Sequence, residues 1–285
     1  MLVFHIVFGK TVPDISRIAV ANLGYADCRF LKPVFPGDTL SADSKVIGLK
    51  ENSNGETGIV YVRSTGRNQK GESVLEYVRW VMVRKRNEDA PAAKADVPRL
   101  PGPVEPQHLV APEKTKFKGF DAVASGSPHF WDDYAAGEKI DHVDGITIEE
   151  AEHMMATRLY QNNAEVHFNQ YTESKGRFGR RIIYGGHVIS LARALSFNGL
   201  GNALLIAAIN GGRHVLPCFA GETVFAWSEV LEKAEMKGRR DLGALRIRTI
   251  ATKDTPCIDF PGSKEDGYED GVILDLDYWA LMPRR

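Results

Sequence analysis

Apolar residues fall into two patterns along this chain. In LVFHIVF (residues 2–8) and HVISLARALSF (187–197) they occupy nearly every side of a 3.6-residue repeat, which predicts helices enclosed by other structure rather than lying on a surface. In TLSADSKVIGL (39–49), TGIVYVRST (57–65) and SVLEYVRWVMV (73–83), β-branched and aromatic residues dominate, and the turn-rich ENSNGE and RNQKGE separate the runs. These predict antiparallel strands joined by tight connections.

The same grammar occurs twice. FLKPVFPGDTLSADSKV, starting at Phe30, matches HVLPCFAGETVFAWSEV, starting at His214: Pro33 pairs with Pro217, Gly37 with Gly221, Thr39 with Thr223 and Val46 with Val230, always 184 residues apart. Downstream, YVRWVMVRKR from Tyr77 matches LDYWALMPRR from Leu276, with Trp80 against Trp279 at a separation of 199. The larger separation puts extra residues in the second copy, most simply in the loop around CIDFPGSKEDGYEDG (257–271), an insertion of a kind that surface loops tolerate. The chain is therefore a duplication. Long antiparallel strands wrapped round one buried helix in each copy give an α+β fold, a tandem double hotdog. The two helices are expected on one continuous sheet, since each half alone leaves an edge uncovered. The expected division is an N-terminal hotdog at 1–86, a Pro-rich linker at 87–126 and a C-terminal hotdog at 127–285. Residues 87–112 hold Pro91, Pro98, Pro101, Pro103, Pro106 and Pro112, which predicts an extended segment poor in regular structure. Copy two has a long segment before its helix (127–186) and copy one has almost none, so the first copy is expected to be truncated at its N-terminal end.

Composition narrows the function by exclusion. Lys and Arg number 36 against 37 acidic residues, without a long basic run, so the electrostatic footprint of a nucleic-acid binder is missing. The longest apolar stretches, such as LLIAAI (204–209), are too short to span a bilayer, so no membrane partner is expected. Three widely spaced cysteines, Cys28, Cys218 and Cys257, suit inert buried thiols in a reducing compartment. The opening MLVFHIVFGK lacks the basic region and cleavage site of a signal peptide, and the expected location is the cytoplasm.

The chemistry is expected in the segment before the second helix. TIEEAEHMMATRLY has Thr147 three residues before Glu150, the spacing of a capping box, and Ile148, Ala151, Met155 and Leu159 recur on one helical face. The polar loop QNNAEVHFN then delivers His167. A lone histidine is more often structural than catalytic, but its surroundings carry more. NNAEVH, ending at His167, and FGRRIIYGGHVISL, starting at Phe178, resemble the D-x-N-P-(I/L)-H and F-G-x-R-I-x-H-G motifs of R-specific enoyl-CoA hydratases and MaoC-like dehydratases. His167 matches the motif's His and Gly185 the Gly at the helix entry. Asn162, Ala164 and Glu165 stand where the motif has Asp, Asn and Pro. Strings along nearly the whole chain, among them GEKIDHVDGITIEEAEHM, VHFN and GRFGRRIIYGGH, resemble the mesaconyl-CoA hydratase branch. The resemblance implies reversible hydration of a branched dicarboxylic acyl-CoA, mesaconyl-CoA to β-methylmalyl-CoA, with further residues on the N-terminal side.

Physical chemistry assigns the parts. Adding water across a C=C conjugated to a thioester builds negative charge on the thioester oxygen. Gly185 and Gly186, at a helix start where N–H groups lack partners and the dipole is positive, can meet that charge. A tight turn would equally use glycine there. His167 can move the proton. Asn162 accepts no proton, but its amide can hold a water, or it can serve only as a loop former. Glu165 could supply the missing carboxylate and ranks lower. A substrate carboxylate calls for a guanidinium; Arg158, Arg177, Arg180, Arg181 and Arg213 lie near the motif, with Arg181 and Tyr184 taken as weaker substrate-binding candidates. Eight His and three Cys show no close ligand spacing, so no metal is expected, nor any cofactor beyond the coenzyme A of the substrate. A homodimer or higher homo-oligomer acting on an acyl-CoA is the expected assembly. The rival readings are a hotdog thioesterase, which would release free thiol, and a non-catalytic acyl-CoA-binding protein.

Overall fold

The computed structural model describes residues 1–17, 19–87 and 89–285. Chain order runs α1 (Leu2–Ile15), β1 (Ala21–Phe30), β2 (Ser41–Glu51), β3 (Thr57–Arg67) and β4 (Ser73–Arg84) in the first copy. Past a strap containing α2 (Ala122–Ser125) come β5 (Lys139–Asp141), β6 (Ile146–Thr147), α3 (Glu150–Leu159), α4 (Glu165–Phe168), α5 (Gln170–Glu173), α6 (Gly185–Leu195) and α7 (Phe197–Leu200). The second copy closes with β7 (Leu205–His214), β8 (Thr223–Met236), β9 (Arg239–Lys253), the short hairpin β10 (Ser263–Lys264) and β11 (Gly267–Tyr268), and β12 (Val272–Pro283).

One antiparallel sheet of ten strands carries both copies, in the order β2-β3-β4-β1-β7-β12-β9-β8-β5, with β6 also on β8. The copies join where β1 lies against β7, Tyr25 opposite Gly212 and Cys28 opposite Ile209. Duplication is visible in the order itself: β4 lies between β3 and β1 as β12 lies between β9 and β7. The hairpin β10–β11 falls in the inserted loop before β12. Strand β1 carries no strong apolar alternation in its ANLGYADCRF. Its central residues, Gly24 to Cys28, are nevertheless buried because it runs through the middle of the sheet.

Both helices lie in one core. From α1, Phe4, Val7, Phe8 and Val12 are buried; from α6, Val188, Ile189, Leu191, Ala192 and Leu195 join the same apolar cluster. An apolar surface on all sides is what such enclosure demands. Helix α1 runs further than its apolar start suggested, with Pro13 in its last turn.

The first copy's helix also clamps the loop that ends α3. Gly9 is buried against the backbone there: a Cβ at this position would stand 1.7 Å from the carbonyl oxygen of Tyr160 and 3.1 Å from the carbonyl carbon of Gln161. His5 stacks on Tyr160 at 4.5 Å between ring centroids, and Arg17 accepts the amide hydrogen of Glu165 through its carbonyl at 3.1 Å. The strap between the copies is extended for most of its length, yet it packs. Val104, Leu109 and Phe117 are buried with Trp279 and Leu242 over the sheet face opposite the helices, and Trp279 Nε1 donates to the carbonyl of Val104 at 2.8 Å.

Two local expectations fail. Helix α3 takes Glu149 as its N-cap with no side-chain cap bond; Thr147 sits in β6, its hydroxyl 2.9 Å from that of Thr223, and Glu150 pairs instead with Arg181. Pairing of β6 with β8 holds Thr147 too early in the chain to cap the helix. The apolar face also points the wrong way: Ala151, Met155 and Leu159 are exposed, and the helix buries His153 and Thr157. Ile148 is buried, but it precedes the helix. A polar inner face means that α3 packs over polar chemistry rather than over apolar core.

Replacing Gly9 by alanine is expected to destabilise the chain by at least about 2 kcal/mol, because neither backbone can yield to the added methyl without unseating the loop. Chemical denaturation of the variant measures this, and a midpoint equal to that of the parent would contradict the clamp.

Candidate active site

His167 stands on the single turn of α4, following a loop that reverses tightly: Gln161 has φ +58°, and Asn162 makes an Asx turn in which its Oδ1 accepts the N–H of Ala164 at 3.2 Å. Nδ1 of His167 lies 2.8 Å from the carbonyl oxygen of Ile182. A carbonyl only accepts, so Nδ1 carries the hydrogen, and the neutral ring presents its Nε2 lone pair. Burial holds the pKa of His167 down to about 4, the bond to Ile182 opposing it, so the ring is the free base at neutral pH.

The sequence hid a second histidine of the site. His153, on the buried face of α3, accepts the backbone N–H of Tyr184 through Nε2 at 2.9 Å, which fixes its proton on Nδ1. Its ring lies 6.1 Å from that of His167, nearly perpendicular, and 5.7 Å from that of His187. Burial, then the neighbouring His167 and His187, holds its pKa down to about 3. The available signal was its phase: His153 and Thr157, four residues apart, alternate with the apolar face that turned out to be exposed.

Tyr184 is the N-cap residue of α6 and contributes no side-chain cap. Because His153 takes its amide hydrogen, the N–H groups left without an acceptor among the described residues are those of Gly185 and Gly186, at the positive end of the helix. Each glycine makes room for a ring. A Cβ on Gly185 would stand 2.4 Å from the imidazole of His214, and one on Gly186 2.4 Å from the phenol of Tyr184. The Tyr184 ring in turn lies 5.7 Å from that of His167, so the base and the free amides flank one aromatic side chain.

The remaining candidates divide. Asn162 is buried, its Oδ1 held by the turn and its Nδ2 without a partner among the described residues, so its unpaired group is a donor. Glu165 turns toward Arg17, 4.0 Å away. Arg181 is pinned to α3 by Glu150 and by Met154, whose sulfur is 2.7 Å from Nη1. Arg180 lies over Phe219 near Glu222, and Arg158, Arg177 and Arg213 are exposed. Among the described residues, no group of three or more His, Cys, Asp or Glu is placed to hold a metal ion, and no helix is long and apolar enough to cross a membrane.

Comparison with known proteins decides the lineage. The mesaconyl-CoA hydratase family profile matches residues 2–264. A β-methylmalyl-CoA dehydratase of Chloroflexus aurantiacus is 63% identical over 286 residues, covering 100% of this chain and 81% of that protein. A mesaconyl-CoA hydratase of Cereibacter sphaeroides is 62% identical, covering 100% and 82%. The chain belongs to the mesaconyl-CoA hydratase family. A crystal structure of a MaoC domain dehydratase from Chloroflexus aurantiacus superposes with a TM-score of 0.96 at 64% identity, covering 100% of this chain and 81% of that one. A double-hotdog protein of Mycobacterium tuberculosis shares the fold at a TM-score of 0.68 and 23% identity, covering 99% and 81%. For this member of the mesaconyl-CoA hydratase family, the tandem double hotdog read from the repeat is therefore the fold.

The histidines also set a pH dependence. Burial is the largest cause in holding His167, His142 and His214 down to about 4 and His5 and His153 down to about 3. An unfolded imidazole titrates near 6.5, so as the pH falls the unfolded chain takes up these protons first. Stability from this source is complete above about pH 6.5 and drains away as the pH descends toward 4. Urea unfolding midpoints are expected to fall steadily between about pH 7 and pH 5; a flat midpoint across that window would show that these rings are not held neutral.

Proposed function

We propose that this chain catalyses the reversible addition of water to the C=C bond of mesaconyl-CoA, forming β-methylmalyl-CoA. The observation that carries the reading is the tautomer of His167, whose Nδ1–H is spent on Ile182 so that Nε2 offers a lone pair; the Tyr184 ring, 5.7 Å from that imidazole, also packs against Gly186, whose amide and that of Gly185 have no acceptor among the described residues. The names and 62–63% identities of the two relatives support the substrate.

In hydration, a water oxygen bonds to C3 of the enoyl chain while His167 Nε2 takes one of its protons. The C=C electrons move toward the thioester, whose oxygen gathers negative charge and is met by the Gly185 and Gly186 N–H groups and the α6 dipole. The imidazolium then delivers that proton to C2 as the thioester carbonyl re-forms, which leaves the imidazole neutral again. Dehydration runs the same steps backwards. The buried Asn162 amide, with only Nδ2 free, donates to the water oxygen and holds it; it cannot act as the base. Glu165 is left as a substrate-side bystander paired with Arg17, and Tyr184 as the wall between base and amides. This chemistry uses side chains and backbone amides alone, with coenzyme A entering as part of the substrate. The reading also places the enzyme in the cytoplasm as a homo-oligomer. Three buried free cysteines support the compartment, and the apolar pair Met155 and Leu159 on the outer face of α3 supports association.

Incubation with mesaconyl-CoA is expected to remove the conjugated enoyl-thioester absorbance without releasing free thiol; thiol release at the same rate would instead establish a thioesterase. His167→Ala should keep the fold and lose at least about 100-fold in turnover, and near-normal turnover would remove His167 from the mechanism. Asn162→Ala should depress kcat with little change in KM, whereas an Asn162→Asp variant faster than the parent would show that the site works better with a carboxylate.

A further inference from the structure

In the strand sequence SVLEYVRWVMV, Leu75, Tyr77, Arg79 and Val81 share one phase of the period-two repeat, and all four are fully buried. Arg79 thus enters the sheet face that carries α1, in register with core residues. Its Nη2 donates to Thr11 Oγ1 at 3.0 Å and its Nη1 to Ser16 Oγ at 3.2 Å, and its Cζ lies 4.3 Å from the centroid of the Phe8 ring. Its Nε is buried and has no acceptor among the described residues. Among the described residues no carboxylate comes within ion-pair distance of it. A guanidinium stripped of water and met only by hydroxyls and a ring is expensive to keep, and buried charges are ordinarily paired. The fold does not demand it. At the matching place in the second copy, one residue before Trp279 as Arg79 is one before Trp80, stands Tyr278.

Position gives the charge its meaning. Across the β1–β4 pairing Arg79 is directly opposite Tyr25, whose hydroxyl is 3.3 Å from His214 Nε2, and the His214 ring fills the space beside Gly185. Phe8, which covers the guanidinium, also packs on Tyr184 at 5.6 Å between centroids. By both routes Arg79 is linked to the start of α6, through Phe8 to Tyr184 and through Tyr25 and His214 to Gly185.

We propose that Arg79 receives the free carboxylate of the dicarboxylic acyl-CoA, so that the substrate is held at one end by the Gly185 and Gly186 amides and at the other by a buried guanidinium. The inference rests on the substrate class proposed above and names the residue that selects it. A carboxylate supplies the missing counter-charge and can accept both N–H groups of a guanidinium edge, in exchange for the hydroxyls of Thr11 and Ser16. Phe8 must turn aside for the carboxylate to reach Nη1 and Nη2. An acyl chain ending in a methyl group leaves the charge uncompensated, and a site built around a polar partner rejects an analogue that lacks it.

The test compares the parent with Arg79→Met and Arg79→Lys, following hydration of mesaconyl-CoA, calorimetric affinity for crotonyl-CoA and thermal unfolding without ligand. Expected for Arg79→Met are a fall of at least about 100-fold in kcat/KM on mesaconyl-CoA, crotonyl-CoA affinity within about threefold of the parent, and a melting temperature equal to or above the parent's. Arg79→Lys, which keeps a charge and loses the planar fork, should fall between. A melting temperature that drops in both variants, with parallel losses for both thioesters, would make Arg79 a brace for the end of α1 and overturn the assignment. So would an Arg79→Met protein that keeps its activity on mesaconyl-CoA. A parent that never hydrates mesaconyl-CoA would instead overturn the substrate reading beneath it, before Arg79 is at issue.

Discussion

The antiparallel pairing of β1 with β7 is the contact from which the rest of the molecule is hung. It turns two half-sheets, each with an open edge, into one surface, and it does so with Gly212 opposite Tyr25 so that a large ring stands where the copies meet. Only on a shared sheet can α1 and α6 bury their apolar sides in one cluster, and only then does α1 lie close enough to lean on the loop from Tyr160 to Glu165. The loop that carries His167 belongs to the second copy in sequence but is shaped from two sides, by His153 and Ile182 within its own copy and by Gly9, His5 and Arg17 from the first.

Within that frame a few hydrogen bonds decide which atoms are free to react. Imidazoles and amides are ambivalent groups until a neighbour fixes their polarity. Ile182 leaves His167 a base, Tyr184 leaves His153 a donor, and Ala164 leaves Asn162 a donor. The arrangement is made by backbone groups, which cannot titrate, so the roles hold across the pH range in which the rings stay neutral.

The repeat at a constant 184-residue offset made the architecture legible, because two matched strand-turn segments leave few ways to build a sheet. The candidates His167 and the Gly185–Gly186 pair were named from a motif, and a motif reports local chain geometry: His167 follows a tight reversal and the two glycines open α6. What escaped notice was set by neighbours distant in sequence. The inner face of α3 is polar because it covers His167 and Tyr184, so apolar periodicity pointed to the wrong side of the helix. Thr147 has good capping spacing and is claimed first by β8. Arg79 was present in the strand alternation all along, but an arginine among core positions reads as a break in the pattern until the burial of its guanidinium is known.

The strap between the copies is proline-dense and extended, as the sequence suggests, and it is also packed. Val104 gives its amide hydrogen to Asn210 at 2.9 Å and its carbonyl to Trp279, and Phe117 takes a bond from its own N–H to Asp241 at 2.8 Å while its ring is buried against the second sheet half. The segment is thus a third layer of the molecule. Cutting the chain there would not release two independent modules, since the severed ends would stay packed over the sheet and the halves would still share every β1–β7 bond.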